Sequence, residues 1–519
     1  MNGFIVLALL VGVAVLIGYL VHRIRSYRDR GRDHLYKGNL ERAIALFTKS
    51  IAQNPRDALS YDARGNALGL QGRHAEALAD YTNAVDLAPS HAGIVGNLGR
   101  CQAILGRLDE ALVTLDKALA LDPAHANNHS FKAFALERKG DLDAAIAEYG
   151  KVIELKPQDG ATFVSRASLL VRRGENERAL ADCTRAVELD LADADRLCSL
   201  AETLIGLGQH ERALVILDKA LRLDQSHANS LGQRARAYCL GESYDAAIAD
   251  YGRVIALQPD AGWAYEGRAY SYHRKNELDR ALAEYDAAFA KGARTASFYY
   301  GRGLVYLKRR DFEKAIADFG AAIEIDPAHH EAYCERGTAR IERRDYEAAQ
   351  ADFTRAIELK PESWRGYWGR ATARYESATY ADAVADYDAA IARDPGTPAV
   401  FYNRAIVYER LKDPTRMFAD AERYLAEVPV PATVIEQDCR AFALLMVGKP
   451  EAGLLDVERV LADEPDNANA LGTRGRILEA LGRPEQAISD FRRALTLDPR
   501  PILRTEAQEA LQRLGAEAS

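Results

Sequence analysis

The stretch ASFYYGRGLVYLKRRDFEKAIADFGAAIEIDPAH, residues 296–329, decides the fold. With Ala296 as position 1, apolar or small residues fall at positions 4, 8 and 11 (Tyr299, Gly303, Tyr306) and again at 20, 24 and 27 (Ala315, Phe319, Ala322). Steps of three and four residues bring each trio onto one face of a helix, so the stretch reads as two amphipathic helices forming a hairpin.

The same pattern extends in both directions. Pro55, Pro89, Pro123 and Pro157 are 34 residues apart, and Pro259, Pro327, Pro361, Pro395 and Pro429 keep that register. It resumes at Pro465 and Pro499 after a two-residue insertion, so fourteen units fill residues 24–501 of the 519-residue chain. A period of this length is the mark of a solenoid. Repeats 1–12 occupy 24–431 and repeats 13–14 occupy 432–501. In the remaining segment, 502–519, Ile502, Leu503, Ala507, Ala510, Leu511 and Leu514 share one face of a last helix, which is expected to cap the open end. Position 15 is Gly at 38, 72, 106, 140, 174, 208, 448 and 482, where the first helix of each hairpin should end on a left-handed residue.

These positions resemble the tetratricopeptide repeat, whose pattern is aromatic, small, aromatic, then small, aromatic, small, then proline at position 32. Tyr61, Gly65, Leu68, Ala77, Tyr81, Ala84 and Pro89 repeat the match seen in 296–329. The resemblance covers about nine-tenths of the chain and implies an all-α solenoid of helix-turn-helix repeats wound as a right-handed superhelix.

Position 7 is Arg or Lys in most units although it lies on the packed face, and position 23 carries a matching acid. Arg64 with Asp80, Lys132 with Glu148, Arg302 with Asp318 and Arg474 with Asp490 are four of eleven such couples. Where position 7 is Leu, at Leu98 and Leu200, position 23 is Thr114 and Ile216, which points to an ion pair tying each hairpin together. The unit 398–431 departs from the pattern, with Met417, Ala421 and Tyr424 exchanging large and small, and a bend is expected at 414–433.

The N-terminus reads differently. Residues 1–3 form a short tail, and Phe4 to Val21 run eighteen residues without a charge, enough to cross a bilayer as a helix. No Lys or Arg precedes the run, whereas Arg23, Arg25, Arg28, Arg30 and Arg32 follow it in the basic segment 22–33, which merges into repeat 1. That asymmetry implies a retained single-pass anchor with the N-terminus outside and the repeat body in the cytoplasm, at the inner membrane if the cell is bacterial.

The formal charge of −8 divides into +4 over residues 1–32 and −12 over the rest, a poor surface for nucleic acid. Six cysteines without a CxxC exclude a zinc ribbon or disulfide framework. His91, His125, His227 and His329 recur at position 34, too far apart for a shared metal, and read as turn residues. No nucleophile stands beside a base and no phosphate-binding loop is present, so no catalytic, cofactor-binding or metal-ligating residue is assigned. The sequence therefore implies a membrane-anchored scaffold that recruits other proteins, not an enzyme. A self-assembling solenoid, whose partner is a second copy, is the alternative.

Turning the first helix by 100° per residue separates positions 2, 5, 9 and 12 from the packed set. In the tetratricopeptide family that set lines a concave partner-binding surface. Here it carries Trp263, Tyr270, Tyr300, Trp368, Tyr375 and Tyr402, all in units 8 to 12. These six are the expected partner-binding residues, and the expected ligand is an extended or helical protein segment.

Overall fold

The computed structural model describes residues 27–189, 191–497 and 501–516, with the side chains of 501 and 502 excepted. Helices of 13 or 14 residues alternate along it, as in Ala296–Lys308 followed by Phe312–Ile325. The chain divides into two compact units at Pro259/Asp260. Within each, every hairpin packs its two helices together and passes to the next through a linker that is four residues long in most repeats, such as 326–329.

Small residues set how close the helices come. A Cβ added at Gly303 would lie 2.8 Å from the Phe319 ring, and one at Gly337 equally close to Phe353. Phe319 and Phe353 are in turn fully buried beside Ala315 and Ala349, so the ring of position 24 fills the space that position 8 leaves empty.

All eleven couples between positions 7 and 23 are formed. Arg302 grips Asp318 through Nε and Nη2 at 2.7 and 2.8 Å, and Arg64 grips Asp80 at 2.8 and 2.7 Å. The two-pronged geometry suits guanidinium and carboxylate, and ten of the eleven acids are buried. Lys132 to Glu148 and Arg440 to Asp456 are the long pairs, each 3.3 Å at its shortest. Several of these cations also reach back to position 25 of the preceding unit: Arg234 to Asp218 at 2.7 Å, Lys132 to Asp116 at 2.8 Å, Arg404 to Asp388 at 2.5 Å. One cation thus ties a hairpin together and fastens it to its neighbour.

The eight glycines at position 15 have φ between 70° and 90°, the left-handed region. Units 7 to 12 make the same turn without glycine, holding Glu242, Asn276, Arg310, Arg344, Ala378 and Lys412 at φ of 57–65°. In the unit 398–431, Ala421 and Tyr424 are both buried, and the Tyr424 hydroxyl donates to the Glu436 carbonyl at 3.3 Å. The linker that follows this unit is longer than the usual four residues. The helix Pro414–Glu427 ends at Val428 and the next begins at Val434, behind a capping box of Thr433 and Glu436. At the C-terminus, Ala507, Ala510 and Leu511 of the helix Pro501–Arg513 bury against Leu478, Ala487 and Phe491.

Two expectations are corrected and a third is refined. The first is membrane attachment. Among the described residues no helix is long and apolar enough to cross a membrane, because a span needs about 20 apolar residues and the helices here are 13 or 14 residues long with charged outer faces. The proposed anchor 4–21 and Arg23 and Arg25 lie outside the described residues. Arg28, assigned to a membrane-proximal cluster, serves the first repeat instead: it pairs with Asp57 at 3.0 Å. Arg30 lies over the Tyr27 ring at 4.9 Å on the same helix, and Arg32 is exposed beside them. The single-pass topology, the membrane as a partner and the inner-membrane placement are withdrawn with the anchor.

The second correction concerns position 5, expected to face a groove throughout: Cys198 and Cys334 there are buried, because the first helices of neighbouring repeats pack against each other. The third concerns the histidines of position 34, which do more than occupy a turn. His91, His125, His227 and His329 each accept, through Nδ1, the backbone N–H three residues on at 3.3 Å, capping the following helix.

Candidate functional site

The helix Gly262–Arg274 carries Trp263 and Tyr270 seven residues apart, two turns along one face. Both stay accessible, Trp263 at 46% and Tyr270 at 37% exposure. Arg274, one turn further on, donates to the Tyr270 hydroxyl at 2.9 Å and holds the ring in place. An exposed tryptophan with a tyrosine on the same face is a large apolar area left facing solvent.

Moving along the second unit, the inner face closes. Tyr300 is half-buried, its ring 4.8 Å from His329 and 5.9 Å from Phe319, and burial pushes its hydroxyl up to about 12. Trp368, Tyr375 and Tyr402 converge on one open cavity of about 430 Å³, which helices from repeats 10 to 14 and the C-terminal helix line. Trp368 packs on Trp364 at 5.7 Å, and Tyr402 on Tyr424 and Phe442 at 5.4 and 6.3 Å. Burial raises the hydroxyls of both Tyr375 and Tyr402 above their usual range. The six aromatics expected to form one strip are therefore divided: two open, one stacked on its neighbours and three on a cavity wall.

Charged residues draw this region together. Arg476 of repeat 14 binds Glu409 of repeat 12 and comes within 3.8 Å of Glu506 on the C-terminal helix, which Arg410 also binds. The Arg476 guanidinium lies over the Phe442 ring at 4.4 Å. Asp438 also faces the cavity, and burial, offset by a hydrogen bond from Thr473, raises its carboxyl to about 6. Sequence reasoning missed Glu409, Asp438, Arg476 and Glu506. Their signal was present, since Glu409, Asp438 and Arg476 occupy inner positions 12, 5 and 9 of their units, but a search for aromatics alone passes over them.

Among the described residues no group of three or more His, Cys, Asp or Glu is placed to hold a metal ion. Tetratricopeptide repeat models match residues 28–79, 70–133, 104–165, 194–227, 233–293, 296–329, 334–398, 370–430 and 441–500. The chain belongs to the tetratricopeptide repeat family. Over 89 residues it is 35% identical to the FK506-binding protein-like proteins of Homo sapiens and Mus musculus, a segment that is 16% of this chain and 25% of each relative. The chain thus spans about a quarter of the length of the curated relatives it matches. The structure of the APC/C hetero-tetramer Cut9-Hcn1 shares the tetratricopeptide-type fold, with a TM-score of 0.60 and 15% identity over 96% of this chain and 98% of that one. Matches of this kind fall between residues 28 and 500 of the chain.

Proposed function

We propose that this tetratricopeptide repeat protein is an interaction scaffold that holds a segment of a partner protein against the inner face of its second compact unit. The observation that carries the reading is the exposed pair Trp263 and Tyr270, large aromatics left facing solvent on one helix face. Tyr300 continues that face as a half-buried shelf, and Trp368, Tyr375 and Tyr402 lie further along it. Aromatic anchors of this type dominate the energetics of protein recognition. The fold relative is a chain of the hetero-tetramer Cut9-Hcn1, which supports a partner-binding use of the architecture.

The test is capture of a copurifying partner by the full chain and by Trp263→Ala and Tyr270→Ala, made separately. Each substitution should weaken capture by about 2 kcal/mol or more while leaving the melting temperature within a few degrees of the parent. Unchanged capture by both variants overturns the reading.

A further inference from the structure

The cavity behind Trp368, Tyr375 and Tyr402 holds chemistry that recognition at the exposed face does not use. Its wall carries the carboxylates of Glu342, Glu376, Asp438 and Glu506 and the guanidinium of Arg476, with Arg310 and Arg410 reaching Glu342 and Glu506. Arg476 is already committed to Glu409 and Glu506 and lies over Phe442. It shows that this mixed acidic and aromatic wall suits a guanidinium. Asp438 has no such partner. Its Oδ1 is buried and makes no hydrogen bond, and among the described residues no cation pairs with it, Thr473 being its hydrogen-bonding neighbour. The indole Nε1 of Trp368 is also buried without a partner.

A carboxylate removed from water and given no counter-charge weakens the fold that holds it. A cation entering the cavity would reverse that cost. The aromatic walls favour the same ligand, because the negative face of a ring attracts an organic cation while its body accepts an apolar stem. The Asp438 carboxylate disfavours an anion. A metal ion needs several converging oxygen ligands, and no such group is found among the described residues. The cavity volume of about 430 Å³ lies within the range of small-ligand sites.

We propose that this cavity binds an organic cation, an alkylammonium or alkylguanidinium group on a short apolar stem, with Asp438 as its counter-ion and Trp368 and Tyr402 as its aromatic walls. The site stands independently of partner binding at Trp263 and Tyr270. The cation could be carried on a lysine or arginine side chain of another protein or be a free amine, and the chemistry that recognises it is the same.

The experiment is calorimetry on the full chain at neutral pH with n-butylammonium, n-butylguanidinium, n-butanol and butyrate. Saturable binding of the two cations, at least about tenfold tighter than the alcohol or the acid, is expected. Asp438→Asn keeps the shape of the side chain and removes its charge. It should melt no lower than the parent and bind the cations at least about tenfold more weakly. Should that variant fail to fold, Trp368→Phe, which keeps an aromatic wall but offers a cation a less attractive ring face than indole, should still weaken binding several-fold. Tighter binding of acetyl-Gly-Lys-Gly-amide than of n-butylammonium supports a protein side chain as the source, and equal or weaker binding supports a free amine. The proposal is overturned if butanol binds as well as n-butylammonium, if folded Asp438→Asn binds the cations as the parent does, or if neither cation binds at about 10 mM.

Discussion

Trp263 and Tyr402 occupy inner positions of their repeats, yet one is largely exposed and the other forms part of a cavity wall. The difference does not arise within their own hairpins. Around Tyr402, Arg476 and Glu506 reach back from later helices to Glu409 and Arg410, and Phe442 stacks across the tyrosine. Trp263, by contrast, keeps 46% of its surface exposed. Repeat position therefore fixes which face a residue takes, and at Tyr402 residues from later repeats cover that face.

The largest effect that tests this contrast is truncation of the rings. Tyr402→Ala should cost about 3–5 kcal/mol, the range for a packed aromatic, whereas Trp263→Ala should cost less than about 1 kcal/mol. Chemical denaturation of the two variants measures both. Equal losses would mean the two faces are alike.

The ion pairs supply a reference shared by open and closed regions. Arg302→Ala strands a buried Asp318 and should cost about 3–5 kcal/mol, with the double change to Leu at both positions milder. A single variant as stable as the parent would show that Asp318 is effectively hydrated.

Asp438 sharpens the contrast through pH. Its folded-state carboxyl is raised to about 6, so its protonated form favours the fold, and that contribution is present below the unfolded value near 4 and lost as pH rises through 6. A tenfold change in proton affinity is worth about 1.4 kcal/mol, so Asp438→Asn should stabilise the chain by about 3 kcal/mol at neutral pH and by little near pH 4. Urea melts at the two pH values decide it, and a gain that is the same at both would remove the cavity as the cause.

Smaller effects lie in the turns. Ala378 sits at φ 60° where other repeats have glycine, so Ala378→Gly should stabilise by about 0.5–1 kcal/mol, since relief of left-handed strain exceeds the entropic cost of glycine. Thermal melts would show a loss instead if the turn were unstrained. His329→Ala should cost about 1 kcal/mol through the lost cap, and His329→Asp should recover most of it.

Much of this was legible in the chain. The 34-residue spacing of prolines, the small residues at 8, 20 and 27 and the covariation of Arg64 with Asp80 or Arg302 with Asp318 report contacts within one hairpin, where sequence separation is short and fixed. The bonds from Arg234 to Asp218 and from Arg404 to Asp388 obey an equally fixed spacing of 16 residues and could have been read the same way. Left-handed turns at Glu242 or Ala378 could not be read from residue type, because neighbouring helices impose a backbone that the residue itself disfavours. The apolar run at 4–21 suggested an anchor on hydropathy alone, while Arg28, seemingly part of the same signal, belongs by its partner Asp57 to the first repeat.

The sequence by itself determined the hairpin, its period, its packed faces and the ion pair inside it, because each depends on residues a helical turn or one hairpin apart. Only the tertiary structure decided which inner aromatics are exposed and which line the cavity with Asp438. That outcome depends on Arg476 meeting Glu409 sixty-seven residues away, a distance at which small rotations summed over several repeats set what touches what.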